Sequence, residues 1–237
     1  MTKKFSVIGA GSWGTTLAVL LGEKGFDVNL WCRREELSND INNKRENTQY
    51  LSGVKMPLNV VAEHSLKKSL ENAEIIVSAV PSEFLRNTMK DIRNYFNSQI
   101  IVSVTKGIEH STNKRMSEII KEELGQETKI VVLSGPSHAE EVSIRMPTAI
   151  VSASDDKKVG KIVADSFTTP YFKVYYLSDV VGVEICGALK NISAIATGIC
   201  DGLGVGDNAK ASIITLGLME MNNFGRHFGA KRGTVYG

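Results

Sequence analysis

Cysteine is scarce in this sequence. Cys32, Cys186 and Cys200 are the only three in 237 residues, each lies in an apolar run, and none stands at C-x-x-C spacing. That pattern argues against a disulfide framework or a sulfur-ligated metal and fits buried thiols. A large charge of either sign is missing as well: 28 basic and 26 acidic residues leave a formal net charge of +2, which gives no electrostatic reason for a nucleic acid or an anionic bilayer as partner. No Ser/Gly-rich linker, internal repeat or low-complexity stretch is found. The first residues lack an unbroken apolar segment. Lys3 and Lys4 precede an apolar run as they would in a secretory leader, but Gly9, Gly11 and Gly14 interrupt it, so no membrane insertion and a cytoplasmic location are expected. At 42% hydrophobic content the chain can bury one large domain and part of another.

What stands in that early stretch is a pattern. Phe5 to Ile8 reads as a short buried strand, Gly9-Ala10-Gly11-Ser12-Trp13-Gly14 follows as G-x-G-x-x-G, and Trp13, Leu17, Leu20 and Leu21 recur at helical spacing. Val28 to Cys32 closes a βαβ unit of dinucleotide-binding length. Gly9 permits the tight turn, Gly11 lets a pyrophosphate approach the backbone, and Gly14 lets the helix pack on the sheet. The helix N-terminus then offers unpaired N–H groups and a partial positive charge to the phosphates. At the end of the second strand, where an acidic residue would grip a ribose hydroxyl, stand Arg33 and Arg34. Two guanidiniums suit a 2′-phosphate and favour NADPH over NADH; the alternative is a solvated basic turn before Glu35 and Glu36.

Beyond Arg34 the polar, Asn-rich stretch to Gly53 has poor periodicity and reads as a surface excursion. Strands are then expected at Asn59–Ala62, Ile75–Val80, Ile100–Val104, Ile130–Leu133, Met146–Ser152 and Phe172–Tyr176, alternating with helices, as in a parallel sheet covered on both faces. Ligands bind beyond the carboxyl ends of such strands, which marks the Val80-Pro81-Ser82 corner, Lys106 after the Ile100–Val104 strand, and the Gly135-Pro136-Ser137-His138-Ala139 turn. A solvated loop lysine and a plain N-cap are the alternatives for Lys106 and Ser137. His138 reads as structural, with no other ligand-type residue at metal spacing, so no metal is expected. The fold class that follows is α/β, a Rossmann-like, mostly parallel sheet over residues 1–178, then the start of an all-α domain over 179–237.

From Ser178-Asp179, a helix N-cap signal, to Cys200 the chain is apolar almost all round, which predicts a buried helix. Lys190 lies in its middle. Its neighbours three and four positions away are Cys186, Gly187, Ser193 and Ala194; Asp179 and Asp201 lie about three turns off, on the order of 16 Å along the axis. Burying an unpartnered ammonium costs several kcal/mol. An anionic substrate is the economical partner, a snorkelling lysine the alternative, and a partly desolvated lysine has the lowered pKa of a proton donor near neutrality. The next helix, Ala209 to Asn223, is again strongly apolar, and the two together need more partners than the last residues provide.

With these elements in hand, the sequence resembles the bacterial-type NAD(P)-dependent glycerol-3-phosphate dehydrogenases along essentially its whole length. The matching stretches are GAGSWGT (9–15), VPSEFLR (80–86), TKGIE (105–109), GPSHAEEV (135–142), PTA (147–149) and, most specific, Glu184 to Met221. The resemblance implies reduction of dihydroxyacetone phosphate to sn-glycerol 3-phosphate, feeding glycerophospholipid synthesis. By this similarity Ser12, Trp13, Arg33, Tyr50, Lys106 and Ala139 line the NADP or NAD cofactor; Lys106, Gly135, Ser137 and Lys190 face the phosphorylated substrate, with Lys190 protonating the ketone oxygen. His138 and Ser52 depart from the family's usual Phe and Pro. Family members continue past Gly237 into an aspartate and an arginine motif, so an incomplete enzyme is expected. An NAD(P)-binding protein without catalysis and a related hydroxyacid or acyl-CoA dehydrogenase stay open, as does a homodimer through exposed apolar surface.

Overall fold

A computed structural model describes residues 3–236; Met1 and Thr2 of the leader-like stretch, and Gly237, lie outside it. The first βαβ unit forms as the periodicity predicts: β1 (Lys4–Ile8), α1 (Ser12–Glu23) and β2 (Asp27–Trp31). Next come α2 (Glu35–Lys44), a small hairpin of β3 (Glu46–Asn47) and β4 (Leu51–Lys55), β5 (Val60–Glu63) and α3 (Leu66–Leu70). The alternation resumes with β6 (Ile75–Ser78), α4 (Ser82–Arg93), β7 (Ile100–Ser103), α5 (Met116–Leu124), β8 (Ile130–Ser134) and α6 (Ala139–Ser143). The sheet ends with β9 (Thr148–Ala153), α7 (Lys157–Phe167) and β10 (Phe172–Leu177). Two long helices follow, α8 (Val180–Leu203) and α9 (Asp207–His227), then a single 3-10 turn at Thr234–Tyr236.

Eight strands make one sheet in the order β10-β9-β8-β7-β6-β1-β2-β5, parallel at every junction except β8 with β9. Continuous apolar strands such as Ile75-Ile76-Val77 are buried on both faces. Phe5, Val7 and Val77 pack toward α1 and α7, while Ile8, Ile76, Ile101 and Val132 face α4, α5 and the start of α8. Sequence order reverses direction between β1 and β6, which places a switch point where Gly9 leaves β1.

Two expectations need correction. The stretch after Arg34 is more than a surface excursion: Ile41 and Asn47 are fully buried and Leu51 nearly so, because α2 and the hairpin fold back over the glycine loop. The last two helices are not buried all round. Ile192, Ile195 and Leu203 on α8 are 66%, 65% and 73% exposed, and on α9 only Met221 and Gly225 are buried. The two helices pack chiefly on each other, Gly217 against Ser193, and meet the sheet only through the first two turns of α8. By length and composition α8 is apolar enough to cross a membrane. Here, however, its first turns are fastened by polar bonds, to α5 of the sheet domain and to the stretch after α9.

Those bonds belong to two acids. Asp179 caps α8 through the Gly182 amide at 3.0 Å, and its other oxygen accepts from the Lys231 amide at 2.9 Å and the Thr234 hydroxyl at 2.5 Å. Glu184 is almost wholly buried against α5, bonded to Arg115 Nη1 at 2.6 Å, the Ser117 amide at 2.7 Å and the Ser117 hydroxyl at 2.6 Å. Burial pushes its pKa up while these partners act the other way. Replacing Asp179 by alanine removes a helix cap and leaves two part-buried donors without their acceptor. The expected loss is roughly 2–4 kcal/mol in urea denaturation, with a smaller loss for Asp179→Asn.

Candidate active site

The glycine loop has the shape that its spacing predicts. Gly9 sits at φ +114°, and a Cβ there would come within 2.7 Å of the Ala79 carbonyl oxygen. A Cβ on Gly14 would collide with the Gly9 carbonyl. These two glycines let β1, β6 and α1 close on one another. Gly11 differs: at φ −74° it is the N-cap of α1, and a side chain there would meet nothing within 4 Å. The open space lies in front of the unpaired amides of Ser12 and Trp13, which is the cradle that a pyrophosphate fills. Trp13 is half-buried beside it, its ring 6.3 Å from that of Phe172. Ala139, first residue of α6, is buried and accepts the Thr16 hydroxyl at 3.3 Å, tying α6 to the loop's helix.

Arg33 and Arg34 diverge. The Arg34 guanidinium donates to Gln49 Oε1 at 2.6 Å and reaches the Tyr50 hydroxyl at 3.4 Å. Arg33 lies 5.8 Å from the centre of the Phe84 ring, on the α4 side. Both are exposed where β2 ends, as is Tyr50 beside Arg34. Helix amides, guanidiniums and a phenol make a donor set of the kind that a dinucleotide's phosphates and ribose accept from.

The second cluster lies along the same carboxyl edge. Lys106 follows β7, Gly135 follows β8, and Lys190 reaches down from α8 to donate to the Gly135 carbonyl at 3.2 Å. Lys190 is therefore half-buried at the cleft, not enclosed by its helix, and its protein partner is a backbone carbonyl. The depressed ammonium pKa in this site belongs to Lys106. Burial pushes it down to about 8, and the Lys190 ammonium beside it adds repulsion and a hydrogen bond in the same direction. No carboxylate contributes to that shift. Ser137 is half-buried, its hydroxyl 3.3 Å from the Gly135 carbonyl. His138 is exposed, N-terminal to α6 and paired with Glu140 at 3.0 Å. Among the described residues no group of three His, Cys, Asp or Glu is placed to hold a metal. Cys32 and Cys200 are buried thiols, whereas Cys186 is half-buried.

Sequence reasoning missed the residues that bring the lysines together. Gly187, three before Lys190, lets α8 sit on the end of β8: a Cβ there would be 2.9 Å from Ser134 Oγ and 3.8 Å from Lys106 Cγ. Its readable signal is a glycine inside an apolar helix, which costs about 1 kcal/mol relative to alanine unless packing requires it. The Lys106 loop is held at three points. Thr105 donates to the Val80 carbonyl at 2.8 Å, Gly107 turns at φ +137° against Ser82, and Arg86 grips Glu109 with two bonds of 2.8 Å. That grip holds the Glu109 carboxyl down to about 2. Its contribution is thus complete above the ordinary carboxylate pKa of about 4.3 and is lost only as pH falls through about 2. A surface hollow lined by Leu70, Glu74, Tyr95 and Gln99 lies at the amino ends of β6 and β7, the edge where open parallel sheets do not bind ligands.

A doubly wound sheet with this loop and this lysine pair defines a dinucleotide-dependent oxidoreductase. Comparison with known proteins narrows the class. The profile described as NAD-dependent glycerol-3-phosphate dehydrogenase N-terminus matches residues 4–160, and that of the C-terminus matches 179–237. The chain belongs to the NAD-dependent glycerol-3-phosphate dehydrogenase family. A glycerol-3-phosphate dehydrogenase of the NAD(P)+ type from Bacillus thuringiensis is 45% identical over 237 residues, 99% of this chain and 70% of the relative. The crystal structure of glycerol-3-phosphate dehydrogenase from Coxiella burnetii superposes with a TM-score of 0.93 at 37% identity, covering 100% of this chain and 72% of the other. The Saccharomyces cerevisiae enzyme gives 0.87 at 34%, covering 99% and 73%.

The glycines separate folding from binding. Gly11→Ala is expected to leave the melting temperature within a few degrees yet weaken NADPH binding at least tenfold, because its methyl enters the open cradle; Gly14→Ala is expected to lower both. Thermal melts and NADPH fluorescence titrations of the two variants check this.

Proposed function

We propose that this protein reduces dihydroxyacetone phosphate reversibly to sn-glycerol 3-phosphate with NAD(P)H, supplying the backbone of glycerophospholipids. The observation that carries the reading is the Lys106–Lys190 pair: two ammonium groups side by side at the carboxyl edge of the sheet, with only a carbonyl for protein partner. Such a pair calls for an anion, and a phosphorylated ketone supplies both a phosphate and an oxygen on which charge develops. When bound, the dinucleotide supplies the hydride that reaches the ketone carbon. Lys190, oriented by Gly135, gives its proton to the ketone oxygen as charge builds there, and Lys106 holds that charge electrostatically. Gly135 and Ser137 border the substrate on the β8 side. Arg33 and Arg34, neither tied to a carboxylate among the described residues, support NADPH over NADH.

We divide the chain into a dinucleotide-binding domain, 1–178, and the start of a helical substrate domain, 179–237; the last strand ending at Leu177 and the helix cap at Asp179 support this. The exposed apolar stripe of α8 supports a homodimer, and buried free thiols support a reducing cytoplasm. One observation favours a second reading, in which Lys106 is itself the proton donor: its pKa of about 8 lies nearer the working pH.

Turnover distinguishes the two. Lys190→Ala is expected to lower kcat by about 10²–10⁴-fold with dihydroxyacetone phosphate, while the KM for NADPH holds. In the wild type the KM for dihydroxyacetone phosphate rises as pH passes above about 8, because Lys106 then loses the charge that attracts the substrate. A kcat that falls through the same pH, and survives Lys190→Ala, makes Lys106 the donor. NADPH binding with no substrate-dependent oxidation leaves a binding protein.

A further inference from the structure

Asn47 is polar, 0% exposed, and lies on the small hairpin outside the eight-stranded sheet. A β-bulge between Glu46 and Asn47 turns its side chain inward, beneath the glycine loop. There the Asn47 amide nitrogen donates to the Ala10 carbonyl at 2.9 Å and to the Thr15 hydroxyl at 2.8 Å. Its oxygen accepts from the Tyr50 amide at 3.3 Å. Both donors and one acceptor site of the amide are therefore used. Ala10 lies between the turn glycine and the cradle glycine, and Thr15 lies in the first turn of α1. Tyr50 and Gln49, two and three residues on, hold the Arg34 guanidinium.

We propose that Asn47 is the positioning residue that couples the two halves of the dinucleotide site; this rests on the dinucleotide reading above. One of its hands holds the backbone of the pyrophosphate cradle, the other the turn that aims Tyr50, Gln49 and Arg34 at the ribose end. A buried amide is costly to desolvate, and a core position of this size is filled more favourably by leucine unless each bond is used. Here all three bonds go to parts of the cofactor rim and none to the sheet. Without them the loop and the ribose wall must be ordered separately when the cofactor arrives, and that ordering weakens binding.

The test is NADPH titration of the wild-type chain and of Asn47→Ala, followed by fluorescence and paired with thermal melts. The dissociation constant is expected to rise about 10- to 100-fold, on the order of what its three lost hydrogen bonds would give. In turnover the KM for NADPH rises by the same factor, while kcat and the KM for dihydroxyacetone phosphate stay within about twofold. A merely structural asparagine would lower the melting temperature without that split. Where Asn47→Ala yields no folded protein, Thr15→Val removes one acceptor at constant volume and is expected to weaken NADPH about three- to tenfold. Binding within about twofold of wild type in Asn47→Ala, or in Thr15→Val where the first does not fold, overturns the coupling alone. A wild-type chain that binds neither NADPH nor NADH overturns the dinucleotide reading and the coupling with it.

Discussion

Two like charges held against each other are the constraint on which this structure turns. At about 4 Å a pair of unit charges repels by about 1 kcal/mol in water and about 4 kcal/mol at an effective dielectric of 20. Two flexible lysines left to themselves would swing apart. The frame therefore acts on their backbones. Thr105, Gly107 and the Arg86–Glu109 grip fix the loop that carries Lys106. Asp179, Glu184 and Gly187 fix where and how closely α8 lies over β8, and hence where Lys190 emerges. The Arg86 grip uses a bidentate pair, which holds direction as well as distance. The two lysines are thus set by contacts up to about three helical turns away from the ammonium groups themselves.

The dinucleotide rim is built on a different principle, close backbone approach. Gly9 and Gly14 remove the side chains that would keep β1, β6 and α1 apart, and the reversal of strand order opens the cleft there. The two devices share one edge of one sheet. On the function proposed above, a cofactor at the β1–β6 crossover and a ketone held by the lysines after β7 and from α8 would be neighbours for that reason, with glycines and arginines taking the phosphates of the cofactor and lysines the charge of the substrate.

Much of this was legible in the sequence. Eight runs of apolar residues became the eight strands of the sheet within a residue or two at each end, since parallel strands covered on both faces leave an uninterrupted apolar signature. The glycine loop was readable because each glycine answers a local steric need. Lys106 was readable from its place past the end of a sheet strand and Lys190 as a charge out of place, but their meeting was not, because it depends on the crossover of α8 onto β8, a contact between residues more than 80 apart. Asn47 was hidden for a related reason: its stretch has no periodicity, and its burial comes from a bulge and a fold-back that composition does not encode. The apolar pattern of α8 misled for the opposite reason. Hydrophobicity all round a helix says that partners suit it on every side, not that this chain supplies them.

The most direct test of the account is an NMR titration of the lysine side-chain ammonium groups in the protein, with Lys106→Met to assign the signal. The account predicts one lysine with a midpoint near 8, absent from Lys106→Met and moving upward when dihydroxyacetone phosphate or inorganic phosphate is added. Every lysine titrating near the ordinary value of about 10.4, with no response to phosphate, would mean that the two ammonium groups are not held together, and the site as drawn would be wrong.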